Sequence, residues 1–159
     1  MTTIAWDGKI LASDSLATSA GMVVSTSEKK IFRPGDDAWS INKTPVVAFA
    51  SSGDCGAEFE IADRLKEGIT YGTQFSGAID FTCIFITRES DCFLAFKDAG
   101  SEIAKISVQD GPYAIGSGGV MAMTAMHLGR NAIEAVEAAI CLDVCTGGNI
   151  DYFMPADSQ

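Results

Sequence analysis

Histidine is nearly absent, for His127 is the only one in 159 residues. A hydrolase of the Ser-His-Asp or Cys-His kind would have to be built on that one ring. It sits in a Met- and Leu-rich run and reads as structural. Positive charge is scarce as well. Lys and Arg total 11 against 21 Asp and Glu, a formal net charge of −10, so the chain repels phosphate backbones and anionic lipid. Neither nucleic acid nor a membrane surface is an expected partner. No apolar run approaches the roughly 20 residues of a membrane helix, and no basic stretch leading into a hydrophobic segment opens the chain, which argues against export. Cysteine is present in an odd number: Cys55, Cys83, Cys92, Cys141 and Cys145. They read as reduced, buried thiols of a cytoplasmic protein. Cys141 and Cys145 have the spacing of two metal ligands, but no second Cys/His pair stands near them, so no metal site is expected.

What the chain does contain is core-forming material. Its 47% hydrophobic against 20% charged residues mark it as globular rather than disordered. The length fits one domain over 1–159, with a polar tail at 155–159. Strands are predicted at 2–6 and 9–13, joined at Asp7-Gly8 by a type I′ turn, and at 22–25, 29–33 and 45–50. "RPGDDAWSINKT" reads as a loop. Ala57, Ile61, Ala62 and Leu65 share one face of a helix over 54–67, stopped by Gly68. "ITYGTQFSGAID" is at most a weak helix. Strands follow at "FTCIFIT", "CFLAFK", "EIAKISV" and "PYAIGS", then helices over 118–128 and 132–144 with Asn131 as N-cap, and a last strand at 150–153. The order implies an α+β fold with two sheets and helices outside.

Four features carry chemistry. Thr2 becomes the terminal residue if Met1 is removed, as a small second residue favours. It would then hold a hydroxyl nucleophile and an α-amine whose ordinary pKa, about 7.7–8.0, suits a general base. Asp14 and the pair Lys29-Lys30 could place a cation beside that terminus and balance it. "AIGSGG" stands at a strand-to-helix junction but lacks the Lys-Ser/Thr of a phosphate-binding loop, and reads as a tight turn. "LDVCTGGN" carries Asp143 and Thr146 off a helix end into a double glycine, which alone would be a C-cap.

In this order the features resemble the proteasome β-subunit family, including the bacterial HslV-type peptidases, which are N-terminal nucleophile (Ntn) hydrolases. "TTIAWDGKILASDSLATS" is similar to the family's opening and "EKKIF" to its catalytic-lysine strand. "VVAFASSGD" matches the strand entering its first long helix, "YAIGSGG" its Gly-Ser-Gly turn and "DVCTGG" its Asp-x-x-Ser-Gly-Gly. The match runs from Thr2 to about Phe153. The resemblance implies a four-layer αββα sandwich, two antiparallel sheets between helix layers. It implies a threonine-type peptidase that cleaves peptides or unfolded protein in a homo-oligomeric, proteasome-like ring, with a separate ATPase unfoldase as partner and no cofactor or metal. Thr2 would be the nucleophile, Asp14 and Lys30 the charge pair, and Ser117, Asp143 and Thr146 the network around the amine. The Ser51 backbone N–H would hold the oxyanion, and Thr18, Gly118 and Gly119 would flank the substrate. The chain departs from the family in a short segment between Gly68 and Phe81, a longer "RPGDDAWSINKT", and Leu16 in place of a common arginine. An amidase acting on a small-molecule amide and an inactive shell subunit are the competing readings.

Overall fold

The computed structural model describes residues 2–158; Met1, whose removal the sequence reading requires, and Gln159 lie outside the described residues. β1 (Thr3–Trp6) and β2 (Leu11–Ser13) form the opening hairpin. β11 (Tyr113–Gly116) borders β1 and β12 (Asp151–Phe153) borders β2, completing a four-stranded sheet. The turn is not the expected type I′. Trp6 pairs with Leu11, so residues 7–10 make the connection, and only Gly8 within it has positive φ, whereas type I′ needs two such residues. Asp7 holds the turn instead. One carboxylate oxygen accepts the Lys9 and Ile10 N–H groups at 2.8 Å each. The other accepts the Ala132 N–H at 2.8 Å, at the start of α3 (Ala132–Leu142), where a negative charge suits the helix dipole.

The second sheet runs, in order, β10 (Lys105–Gln109), β9 (Cys92–Lys97), β8 (Phe81–Thr87), β7 (Thr44–Gly53) and β5 (Ile31–Phe32). β7 is longer than predicted. Its start pairs with β6 (Ser40–Ile41), a strand inside the stretch expected to be loop. A separate ribbon, β3 (Ala17–Ser19) with β4 (Met22–Ser25), stands apart from both sheets.

α1 (Ala57–Glu67) begins later than predicted and ends at Gly68. α2 (Gly119–His127) and α3 lie close to the expected bounds, and Asn131 and Glu134 form a reciprocal capping box on α3. Residues 69–80, expected to be weakly helical, contain no helix. Ile69 bridges to Ile41 and Gln74 to Ile103, and the β-branched residues and glycines of this stretch favour extended pieces. The expected polar tail is a 3₁₀ turn over Pro155–Ser158.

Three apolar clusters hold these elements together. Alternation along β1 sends Ile4 and Trp6 to one side and Ala5 to the other. Ile4, Trp6 and Leu11 pack with Ala48, Ile84, Ile86 and Leu94 of the second sheet. Ala5, Ala12 and Ala114 pack with Ala122, Met126 and Val136 of α2 and α3; these small residues let the helices approach the strands closely. On the second sheet's other face, Phe49, Phe81 and Phe85 meet Ile61 and Leu65 of α1. The expectation of five buried thiols is corrected: only Cys83 and Cys92 are buried, Cys145 is half-buried, and Cys55 and Cys141 are exposed. Burial raises both buried thiols, Cys92 to about 12, so they stay protonated and inert. No helix among the described residues is long and apolar enough to cross a membrane.

Candidate active site

Asp14 follows directly on β2 and continues its ladder, donating its N–H to the Thr3 carbonyl at 3.2 Å. Its side chain is completely buried, a position that demands full hydrogen bonding. Oδ1 accepts the Thr3 N–H at 3.0 Å and the Lys30 ammonium at 2.8 Å. Oδ2 accepts the N–H groups of Leu16 at 3.3 Å and Gly147 at 3.1 Å. Lys30 also donates to the Leu16 carbonyl at 2.8 Å. Lys30 rather than Lys29 therefore reaches Asp14, because the residue preceding β5 turns inward while Lys29 stays exposed. The Lys29 ammonium lies 5.6 Å from the centre of the Phe32 ring.

A second network stands on the other side of Thr3. Ser117 donates to Asp143 Oδ2 at 2.6 Å, and Thr146 donates to the same oxygen at 2.5 Å. The Cys145 N–H donates to Asp143 Oδ1 at 3.1 Å. Since Thr146 spends its only proton on Asp143, the 2.7 Å contact between the Thr3 and Thr146 hydroxyls has Thr3 as donor. Desolvation pushes the Asp143 pKa up, but the Ser117 and Thr146 hydroxyls and the Cys145 N–H outweigh it and hold the carboxyl below its ordinary value. Ser117 Oγ also lies 3.5 Å from the Thr2 carbonyl oxygen. Thr2 is thus gripped through its neighbour by both networks, and is itself buried.

The glycines of "AIGSGG" supply the room for this. Gly116 has φ of +93°, and a Cβ there would lie 1.8 Å from the Thr2 carbonyl oxygen, so only glycine lets β11 close on Thr2. At Gly118 a Cβ would stand 2.1 Å from Thr3 Oγ1 and 3.1 Å from Thr146 Oγ1. Gly118 and Gly119, expected beside substrate, are buried and lie outside the lining of the cleft next to Thr2. Gly118 packs closely behind Thr3, and Gly119 against the Ala114 carbonyl.

That cleft, of about 110 Å³, is lined by Thr2, Lys30, Leu16, Thr18, Ser51 and Gly53 among others. β5 pairs with β7 only at Ile31–Ala50 and Phe32–Phe49. Ser51, Ser52 and Gly53 pair with β8, and their opposite edge carries no strand among the described residues. The structure therefore brings Thr2, Asp14, Lys30, Ser51 and Thr18 to one place, and Ser117, Asp143 and Thr146 to its rear. His127 ends α2 and is exposed. Sequence reasoning missed Thr3 and Gly116. A polar residue within the apolar run "TTIAW" was the signal for the first. The second showed only as one more glycine in "AIGSGG".

Among the described residues, no group of three His, Cys, Asp or Glu side chains is placed to hold a metal ion. No family model matches the sequence, and no curated protein matches it. Solved structures do. A Thiobacillus denitrificans protein called BPH, in complex with epoxomicin, superimposes with a TM-score of 0.63 at 18% identity, covering 96% of each chain. A further structure of Thiobacillus denitrificans BPH gives 0.62 at 19% identity, covering 96% of this chain and 95% of the other. The chain shares the mixed α/β fold of those structures over nearly its whole length.

Proposed function

We propose that the chain is an N-terminal threonine peptidase that hydrolyses peptide bonds of peptides or unfolded proteins. The observation that carries this reading is the buried Asp14–Lys30 pair, 2.8 Å apart, whose lysine lines the same cleft as Thr2. Loss of Met1 would give Thr2 a free α-amine. The Thr2 hydroxyl would then attack the scissile carbonyl, its proton passing to that amine. Lys30, held by Asp14, keeps positive charge beside the hydroxyl and favours its anionic form. The Ser51 backbone N–H would stabilise the tetrahedral oxyanion. Collapse would expel the amine product and leave an acyl ester on Thr2, which water activated by the same α-amine would cleave. The Asp143–Ser117–Thr146 network would orient the amine. The open edge of Ser51–Gly53, which lines the cleft together with Thr18, suits an added substrate strand.

Fold and comparison support the same reading. The three apolar clusters fit a four-layer αββα arrangement of the Ntn type. Epoxomicin, a proteasome inhibitor, is bound by a protein of the same fold. In this proposal the chain acts as a homo-oligomeric, proteasome-like ring in the cytoplasm, with a separate ATPase unfoldase delivering substrate. An amidase for a small-molecule amide is the second reading, favoured by the small volume of the cleft. An inactive shell subunit would have no use for the Asp14–Lys30 pair. The deciding experiment compares hydrolysis of fluorogenic peptides with that of small amides, for the natural chain and Thr2→Ala. Peptide turnover abolished by Thr2→Ala in a protein of unchanged assembly supports the peptidase. Turnover retained in Thr2→Ala removes it.

A further inference from the structure

The chain buries a second lysine that the proposed reaction does not use. Lys97, the last residue of β9, is 2% exposed. Among the described residues no carboxylate lies within ion-pair distance of it. Its ammonium instead donates to three main-chain carbonyls, those of Ile79, Asp98 at 3.2 Å and Ser101 at 2.7 Å. An ammonium has three protons, so every donor is used and the charge sits among carbonyl dipoles, as a bound cation would. A buried cation without a counter-charge is costly, and these carbonyls are what offsets it.

The cage ties the loop entering β8 to the turn leaving β9, and the first of these is bonded to the cleft. Asp80, next to Ile79, accepts the Asp54 N–H on its carbonyl at 3.1 Å. It returns its own N–H to the Asp54 carboxylate at 3.0 Å. Gly53, Phe81 and Lys97 are register partners across three adjacent strands. The packing at Gly53 leaves no slack: with φ at +132°, a Cβ would lie 2.6 Å from the Asp80 carbonyl oxygen. Gly53, Asp54 and Cys55 all line the cleft beside Thr2. A neighbouring recess of about 450 Å³ is bounded by Ser52 and Gly53 together with Asp80 and Lys97.

We propose that Lys97 is a positioning residue, whose caged ammonium fixes the Gly53–Cys55 wall against which substrate binds. The proposal rests on the reading of that cleft as the reaction site. Lys97 touches none of the reacting groups, and the Asp14–Lys30 pair lies on other strands, so its loss acts on substrate binding rather than on the chemical step. Removing the side chain as Lys97→Ala should raise KM about tenfold and leave kcat within about threefold. A purely destabilising change would do the opposite, lowering kcat through loss of active protein.

The Asp54 amide gives a readout that needs no turnover, because it donates to the Asp80 carbonyl. Its hydrogen-exchange protection, read by NMR with the Glu134 amide of the α3 capping box as internal control, should fall about tenfold in Lys97→Ala as the wall loosens. Propylammonium chloride, which replaces the missing stem and charge, should return both KM and the Asp54 protection toward the natural values. Equal concentrations of propanol and sodium chloride should not. An Asp54 protection equal to that of the natural chain, or equal recovery with propanol, overturns the proposal. If Lys97→Ala does not fold, Asp54→Ala removes the carboxylate bond to Asp80 with Lys97 in place; an unchanged protection of the amide at position 54 overturns it as well. If the natural chain hydrolyses no peptide, the peptidase reading fails, and the exchange protection alone decides the role of Lys97.

Discussion

Lys30 and Lys97 are both buried lysines, 6% and 2% exposed, yet their partners differ in kind. Lys30 donates to the Leu16 carbonyl and also to a carboxylate that is itself held by the N–H groups of Thr3, Leu16 and Gly147. Lys97 faces only carbonyl oxygens. A carboxylate balances the charge of an ammonium that lines the cleft together with Thr2, where the proposed reaction would use it. A carbonyl cage satisfies the donors and pins the backbone that supplies them. The partner of a buried cation, more than its depth, separates a chemical task from an architectural one.

The comparison breaks most sharply at its reactive end. Thr2→Ala should lower peptide turnover by ~10³-fold or more, with assembly by gel filtration unchanged. Lys30→Ala should lose nearly as much turnover, about 10²-fold or more, and should also destabilise the fold by roughly 3 kcal/mol, because it leaves Asp14 buried without its counter-charge. Urea denaturation measures the second effect. Lys97→Met, by contrast, strands carbonyls rather than a charge, and should cost about 1–3 kcal/mol. Equal stability losses for the two lysines would erase the distinction drawn between them.

Two smaller effects sharpen it. Asp143 has a folded-state pKa below its ordinary value, so its contribution to stability is present above about pH 4, the unfolded value, and is lost as pH falls through the lower folded value. Asp143→Asn should remove that part of the acid unfolding curve while leaving the neutral-to-alkaline limb as it was. The cleft also carries Glu28, Asp54 and Glu58 against Lys29, since Lys30 is balanced by Asp14. Peptides with a basic side chain beside the scissile bond should be bound about two- to fivefold better than acidic ones, given about 0.2–1 kcal/mol for an exposed pair. Added salt should narrow that margin.

Much of this was legible in the sequence where physical signals are local. Short continuous apolar runs marked β8 and β9, and Asn131 as an N-cap residue marked the start of α3. Thr2, Asp14 and Lys30 were found through an ordered resemblance; spacing alone left Lys29 and Lys30 equivalent, and only the inward turn before β5 separates them. The type I′ turn was misread because Asp7 looks like a turn former but works by side-chain bonds, one of them to α3, which is remote in sequence. The Lys97 cage left no trace, since its acceptors are main-chain carbonyls and any residue type could supply them. The resemblance placed Gly118 and Gly119 beside substrate; the close approach of Thr3 Oγ1 to Gly118 is a tertiary contact that no local pattern signalled.

The central claim is that Thr2 acts through its own free amine, and the intact mass of the purified, peptide-hydrolysing protein tests it most directly. The account predicts the mass of the encoded chain less one methionine residue. A protein that hydrolyses peptides while keeping Met1 would contradict it.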